Sequence, residues 1–432
     1  MKERIELPQE VCGIIEVLEA HGFEAYAVGG AVRDMLIGVP PGDFDVTTSA
    51  QPEEVKALFP RTIDTGIAHG TVTVMKNGTG YEVTTYRIDG KYSDARHPES
   101  VEFTRSLRED LKRRDFTVNA MAYNPKTGLV DLFEGREDLT RGIIRAVGDP
   151  EERFREDALR ILRCVRFAAQ LGFTIEEKTL EAAGKLAGNL RMISRERIRE
   201  ELLKILVSGH PERIGTLWEI SGQMVYSGLR TAEDEALREM GLPEEKEILR
   251  MIRILTELPR ERVLRLSGYL TGLSGRTLPE KTAAQFAACV LSELKFDNDT
   301  KDAVVRLAGH CCLSPSLSKT EVRKLTAELG FDETDRLITL RKAAIRADGG
   351  DGAVMDTLVR YRTEIEAAGD CVRMKDLKIG GKDLIRMGLK PGKAMGEVLK
   401  QLFEAVLEEP ALNTEEVLKA RARQLLDGHE LS

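Results

Sequence analysis

The sequence predicts an α+β protein: a mixed sheet-and-helix domain at the N-terminus, then an elongated all-helical arm. Three observations predict it. Short runs rich in Val, Thr, Tyr or Phe crowd residues 23–150, each bounded by turn residues. Helical stretches sit among those runs. From about Glu151 onward the strand signals nearly vanish and helical periodicity takes over.

The elements follow in order. Residues 9–21 carry helical periodicity. Ala25–Val28 reads as a strand and 30–36 as the helix after it. A second strand spans 44–47, and a helix follows at Pro52–Leu58. Further strands read at 71–75, 81–86 and Val101–Phe103. Residues 119–122 with their flanks read as helical. Beyond them, 151–171, 176–186, 194–207, 244–256, 278–295 and Lys319–Leu329 read as helices, with others reaching Leu426. Ser194 is placed to N-cap its helix. Ile214, Leu217 and Trp218 read as helical core. The segment 346–351, RADGGD, reads as a loop.

Composition bounds the function classes. Apolar residues are 42% and charged residues 31%, an ordinary globular mixture that excludes global disorder. The 432 residues predict two to four domains at roughly 150 residues each. No window holds ~18 consecutive apolar residues, which excludes a membrane helix. The opening MKERIELPQE has no apolar signal core. The six cysteines show no C-x-x-C, and only Cys311 and Cys312 are adjacent. That pattern speaks against a zinc site or a disulfide framework and for a reducing cytosol. With net charge −8, any surface for a polyanion must be a local basic patch. Arg191, Arg195, Arg197 and Arg199 form one such cluster. Lys375, Lys378, Lys382, Arg386, Lys390 and Lys393 form another.

Two short motifs carry chemistry. Val28-Gly29-Gly30-Ala31-Val32-Arg33-Asp34 lies where a strand passes into a helix. Paired glycines there allow close backbone approach, the helix N-terminus favours an anion such as a triphosphate, and Arg33 is placed to grip a phosphate. Alone, such a pair marks a tight turn. Shortly downstream comes Gly42-Asp43-Phe44-Asp45-Val46-Thr47. Alternate positions of a strand share a face, so Asp43 and Asp45 present two carboxylates together while Phe44 and Val46 face the core. Like charges so placed repel unless a cation lies between them, and Mg²⁺ prefers few carboxylates plus phosphate oxygens. The pair suits two-metal nucleotidyl transfer. Alone, D-x-D is a solvated strand face; after the glycine motif it becomes specific.

The two motifs together resemble the polymerase-β-type nucleotidyltransferase superfamily and, more narrowly, the class II tRNA nucleotidyltransferase and poly(A) polymerase family. Arg113-Arg114-Asp115-Phe116-Thr117-Val118-Asn119 is similar to the family's ribose and triphosphate motif. Glu156-Asp157-Ala158-Leu159-Arg160 resembles its base-recognition motif, and 193–198 a neck segment. The DLKIGGKDLIR stretch at 376–386 is similar to the tail of Bacillus-type members. The resemblance implies a nucleotidyltransferase head over 1–149 with a two-Asp metal site, and a neck over 150–210 with the base-recognition helix. It implies a helical body over 211–355 and a tRNA-binding helical tail over 356–432. The implied activity is template-independent addition of C, C and A to the 3′ end of tRNA from CTP and ATP, with release of pyrophosphate. Implied with it are Mg²⁺, the 3′ end and acceptor arm of tRNA as partner, no membrane, and a cytoplasmic location. Beside it stand an A-adding-only or CC-adding enzyme, a poly(A) polymerase, and a non-catalytic RNA-binding protein on the same fold.

On a helix covering 157–169, Ala158, Ile161, Leu162, Val165, Ala168 and Ala169 share one face. Asp157, Arg160, Arg163 and Arg166 share the other, as a solvated charged face or a binding one. Cytosine and adenine both carry an exocyclic amine beside a ring acceptor. Asp157 can accept from that amine and Arg160 can donate to the ring, whereas guanine and uracil present the reverse polarity. Arg163 and Arg166 lie further round, toward phosphate or primer. The predicted catalytic and metal residues are therefore Asp43 and Asp45. The predicted nucleotide-binding residues are Gly30, Arg33, Arg114, Asp157, Arg160, Arg163 and Arg166. Glu82, on its own strand, is either a third catalytic carboxylate or a strand-face glutamate. The polar stretch 89–98 reads as a mobile loop, which in the family helps the switch from C to A. His69 reads as a packing residue. Metal-driven phosphoryl transfer needs neither it nor His97 as a base.

Overall fold

Antiparallel register places the sequence motifs at one end of two central strands of a mixed sheet. The structure is a computed structural model that describes residues 5–90, 101–225, 243–274 and 280–429. It divides into two units, residues 1–242 with 290–296 and residues 243–289 with 297–432.

The first unit opens with helix α1 (Gln9–Ala20), whose Val11, Ile14, Ile15 and Leu18 are buried. Then come β1 (Ala25–Val28), α2 (Gly30–Ile37), β2 (Asp45–Thr48) and α3 (Pro52–Leu58). Gly29 lies at φ +76 and starts α2; Gly38 at φ +79 ends it in the left-handed conformation that glycine adopts without a Cβ clash. Pro52 sits in the first turn of α3, and Glu54 accepts from the Gln51 N–H at 2.7 Å. Strands β3 (Thr62–Gly66), β4 (Thr71–Lys76) and β5 (Thr79–Thr85) follow, then β6 (Arg87–Asp89), β7 (Val101–Phe103) and helix α4 (Leu107–Lys112). Next come β8 (Met121–Asn124) and β9 (Gly128–Asp131).

Among the described residues, seven strands form one sheet in the order β3-β4-β5-β2-β1-β8-β9. Val46, Val72, Val74 and Val83 are fully buried in it. β1 runs antiparallel to β2, so Val28, next to the glycine pair, lies opposite Asp45. β2 runs parallel to β5, so Asp45 lies beside Glu82.

Residues 119–122 depart from the helical expectation. Thr117–Asn119 is a single 3₁₀ turn, and Met121–Asn124 is a strand paired with both β1 and β9. All four of its residues are buried, so it lacks the alternation that marks a half-exposed strand. The expected helix 151–171 is two helices, α6 (Pro150–Glu156) and α7 (Leu159–Leu171). Asp157 breaks it: its backbone is extended, and its Oδ1 accepts from the Leu159 N–H at 2.9 Å. Asp157 therefore caps the second helix instead of riding on its face. Ser194 precedes α9 (Arg195–Leu206) as expected, but its side chain makes no capping hydrogen bond. His69 is exposed rather than packed; its carbonyl oxygen accepts from Arg87. Residues 91–100, most of the expected loop and His97, lie outside the described residues. Ile214 and Leu217 are buried and Trp218 half-buried.

The second unit is helical throughout its described residues. One apolar cluster runs from Ile254 to Val372 and a second from Cys371 to Ala422. Helix Phe331–Ala347 extends into the expected loop at 346–351 by two residues. Lys375, Lys378, Lys382, Arg386, Lys390 and Lys393 are all exposed. No described helix is long and apolar enough to cross a membrane.

Candidate active site

The antiparallel register of β1 and β2 brings the glycine turn and the D-x-D carboxylates together. Asp45 opens β2, while Asp43 lies in the exposed approach to it. Burial pushes the Asp45 carboxyl up to about 6, and the negative charges of Asp43 and Glu82 add to the rise against the pull of Arg114. Glu82 is exposed and in register beside Asp45. Among the described residues no three His, Cys, Asp or Glu side chains close around one point. The edge is thus an open pair of carboxylates with a third charge alongside.

Arg114 reaches this edge from the end of α4. A Cβ on Gly29 would stand 3.2 Å from Arg114 Nη1, so a side chain there would crowd the guanidinium; the positive φ adds backbone strain. Arg114 Nη2 lies 3.5 Å from Asp110 Oδ2, and its buried Nε has no hydrogen-bond partner. Asp110 has no exposure. Burial alone would raise its pKa, but Arg113 and Arg114 hold it below the usual carboxylate range.

Arg33 is buried in α2 and engaged inside the protein. Its Nη1 donates to Asn119 Oδ1 at 2.6 Å and its Nη2 lies 2.7 Å from Asp34. Asn119 in turn donates to Asp115 at 3.2 Å, and Arg163 donates to the other Asp115 oxygen at 2.8 and 2.5 Å. Burial works to raise the Asp115 carboxyl, but the Arg163 charge and the bonds from Arg163 and Asn119 outweigh it and hold it at about 2. The ring of Phe167 gathers three guanidiniums, of Arg33, Arg163 and Arg166, at 5.2, 5.4 and 3.9 Å.

The predicted base-reading pair sits at the α6–α7 break. Asp157 Oδ2 accepts from Arg197 at 2.9 Å while Oδ1 caps Leu159. Arg160 donates from Nη1 to Arg153 O at 3.1 Å and to Glu156 at 2.5 Å, and from Nη2 to Arg113 O at 2.8 Å. That engages three of roughly five guanidinium donors and leaves others for a ligand. Arg166 differs from the expected exposed face. It is buried, pairs with Glu201 at 2.5 Å and donates to Gln170 at 2.9 Å. The neck arginines are paired too: Arg195 with Glu293 and Arg199 with Glu200.

So Asp43, Asp45, Gly30 and Arg114 gather where the central strands β1 and β2 end and begin. Arg33 and Arg163 join through Asn119 and Asp115. Arg160 reaches the Arg113 carbonyl, and its own N–H donates to Asp157 O at 3.0 Å. Arg166 faces α9 and shares only the Phe167 ring. The predicted site residues did not include Asp110, Asp115, Asn119, Glu156 or Arg197. Asp115, Asn119 and Glu156 stand inside quoted motifs, and Arg197 in the neck basic cluster. For Asp110 the only local signal is an Asp one turn before Arg114, which equally describes a surface pair.

Residues 25–145 match the Poly A polymerase head domain, 172–221 the RNA and SrmB-binding site of polymerase A, and 281–422 tRNA nucleotidyltransferase domain 2. The chain is 38% identical to the CCA-adding enzyme of Ligilactobacillus salivarius over 96% of each chain. It is 41% identical to that of Latilactobacillus sakei over 95% of this chain and 97% of the relative. The crystal structure of the Bacillus stearothermophilus CCA-adding enzyme in complex with CTP matches with a TM-score of 0.77 and 33% identity, covering 98% of this chain and 99% of that one.

Proposed function

The chain belongs to the CCA-adding enzymes, tRNA nucleotidyltransferases with a poly(A) polymerase head, and from that premise we propose how its residues divide the work. It adds C, C and A to the 3′ end of tRNA without a template, consuming CTP and ATP and releasing pyrophosphate.

In this reading Asp43 and Asp45 are the catalytic carboxylates and hold a divalent cation, Mg²⁺. The donor set fits: hard oxygens, few in number, on an edge with excess negative charge and room for phosphate oxygens. The bound metal supplies activation of the 3′-hydroxyl and neutralisation of the triphosphate. Arg114 brings positive charge to the same edge, and the Gly29–Gly30 turn lets a phosphate approach the start of α2. Arg33 and Arg163 hold the wall behind it. Asp157 accepts from the exocyclic amine of C or A, and the remaining donors of Arg160 meet the ring acceptor. The exposed tail lysines meet tRNA phosphates. A cytoplasmic location belongs to the same proposal, supported by six cysteines with no disulfide.

The observation that supports the reading is the register Val28–Asp45–Glu82, which sets Asp45 between the glycine turn and Glu82, with the Arg114 charge acting on it. Incubation with tRNA lacking its 3′ CCA tests it. CTP alone should add two residues, and CTP with ATP three. Product only on tRNA already ending in CC would mean an A-adding enzyme, long A tails a poly(A) polymerase, and no product a non-catalytic protein.

A further inference from the structure

We infer that Asp110 is a positioning residue that couples the carboxylate edge to the base-reading arginine, so that one buried carboxylate sets both rate and nucleotide discrimination. The inference rests on the nucleotidyl-transfer reading above.

Asp110 has no exposed surface, so any effect it has on a nucleotide must pass through its neighbours. Its contacts divide into two sets. Toward the catalytic edge, Oδ2 accepts from Thr47 Oγ1 at 3.0 Å and lies 3.5 Å from Arg114 Nη2. Thr47 shares a strand face with Asp45, and Arg114 is the cation whose charge Asp45 feels. Toward the base-reading pair, Oδ1 accepts from Arg113 Nε at 3.0 Å and Nη2 at 2.7 Å, a two-toothed grip that fixes both position and plane. The carbonyl of that same Arg113 accepts from Arg160 Nη2 at 2.8 Å. One residue earlier, Lys112 O accepts from Arg153 at 3.2 Å, and Arg153 O holds Arg160 Nη1. The last turn of α4 is therefore the seat on which the α6–α7 arginines rest, and Asp110 ties that seat to β2. Arg87 N also donates to Oδ1, at 3.4 Å, adding the start of β6.

Two adjacent arginines with opposite duties hang from one anion. Arg114 faces the phosphates by its side chain, and Arg113 places Arg160 by its backbone. A shift of α4 against β2 would move both at once. A purely stabilising ion pair would not do this: its loss lowers the melting temperature but leaves the ratio of C to U incorporation where it was.

The test uses Asp110→Asn, which keeps the shape and removes the charge, and Thr47→Val, which keeps the charge and removes one tether. Asp43→Asn serves as the inactive control. For each, kcat/KM is measured for CTP, ATP, UTP and GTP on one tRNA lacking its 3′ CCA. Thermal unfolding and tRNA binding are measured alongside. Asp110→Asn should lose roughly ten- to a hundred-fold in kcat/KM for CTP and ATP, as expected for a misplaced catalytic group. Its discrimination of C over U and of A over G should fall about five-fold or more as the Arg160 contact loosens. Affinity for tRNA should stay within about two-fold, since Asp110 is buried and the exposed tail lysines proposed to meet tRNA phosphates belong to the other unit. Thr47→Val should move both readings the same way by a smaller factor, and it decides the matter if Asp110→Asn does not fold. Wild-type discrimination in the folded variants, at any rate, would overturn the inference and leave Asp110 a stabilising pair. No incorporation by the wild-type chain would instead overturn the reading on which it rests.

Discussion

Asp45 and Asp115 are the same side chain, both drawn out of water in the same unit, and they end at opposite extremes. Burial raises the pKa of each. At Asp45 the next neighbours are Asp43 and Glu82, and the carboxyl rises to about 6. At Asp115 they are Arg163 and Asn119, and it falls to about 2. The sign of the neighbouring charge outweighs the burial that the two share. The difference separates two duties. The Asp115 knot is neutralised within the protein and serves as scaffold. The Asp45 edge carries negative charge that the protein leaves uncompensated, which suits a site whose balance is completed by what it binds.

Four tests bear on that contrast, from the largest effect to the smallest. Asp43→Asn or Asp45→Asn should reduce nucleotide incorporation by on the order of 10³-fold or more, with tRNA binding retained, because metal-held charge stabilisation supplies several kcal/mol. Wild-type turnover would remove these residues from the chemistry. Asp115→Ala should cost about 3–5 kcal/mol of stability, since it strands the partly buried Arg163. Denaturant unfolding measures it, and a loss below about 1 kcal/mol would mean that Arg163 finds solvent.

The third concerns pH, where the two acids should behave oppositely. The folded-state pKa of Asp45 lies above its unfolded value of 3.8, so ionisation weakens the fold as pH rises from there through about 6. Asp45→Asn should therefore raise stability by roughly 1–2 kcal/mol at pH 8, with little change at pH 4, while abolishing activity. For Asp115 the folded value is depressed, so its contribution is complete above 3.8 and fades as pH falls toward about 2. Unfolding midpoints of Asp45→Asn and Asp115→Asn against pH should slope in opposite senses. The smallest effect belongs to Glu82→Gln. It removes one repulsive charge from the metal-free edge, so the Asp45 midpoint followed by NMR should drop by less than about one unit. An unchanged midpoint would leave Asp43 and burial as the whole cause.

Much of this was legible along the chain. Ala25–Val28, Pro52–Leu58 and Lys319–Leu329 occupy the stretches their patterns mark. The D-x-D pair and the glycine turn could be picked out because a few adjacent residue types specify them. What failed did so for local reasons. Met121–Asn124 is buried on both faces, so no alternation announced a strand. The 151–171 helix kept its period across the break, because periodicity does not register that Asp157 turns its carboxylate onto the Leu159 N–H. The face carrying Arg163 and Arg166 read as a binding one, since a charged stripe reads alike whether a ligand or a buried Asp115 and Glu201 faces it.

By itself the sequence determined most of the order of the elements, the residue types proposed for the carboxylate site and the hydrogen-bond polarity proposed to separate C and A from U and G. These depend on neighbours along the chain and on the chemistry of single side chains. Only the tertiary structure decided which charges meet. Arg33 reaches Asn119, Thr47 reaches Asp110 and Asp115 reaches Arg163 across long stretches of chain. Strand register sets Asp45 between Val28 and Glu82. A carboxylate's pKa follows the sign and distance of the charges around it, and for residues far apart in sequence those distances exist only once the chain has folded.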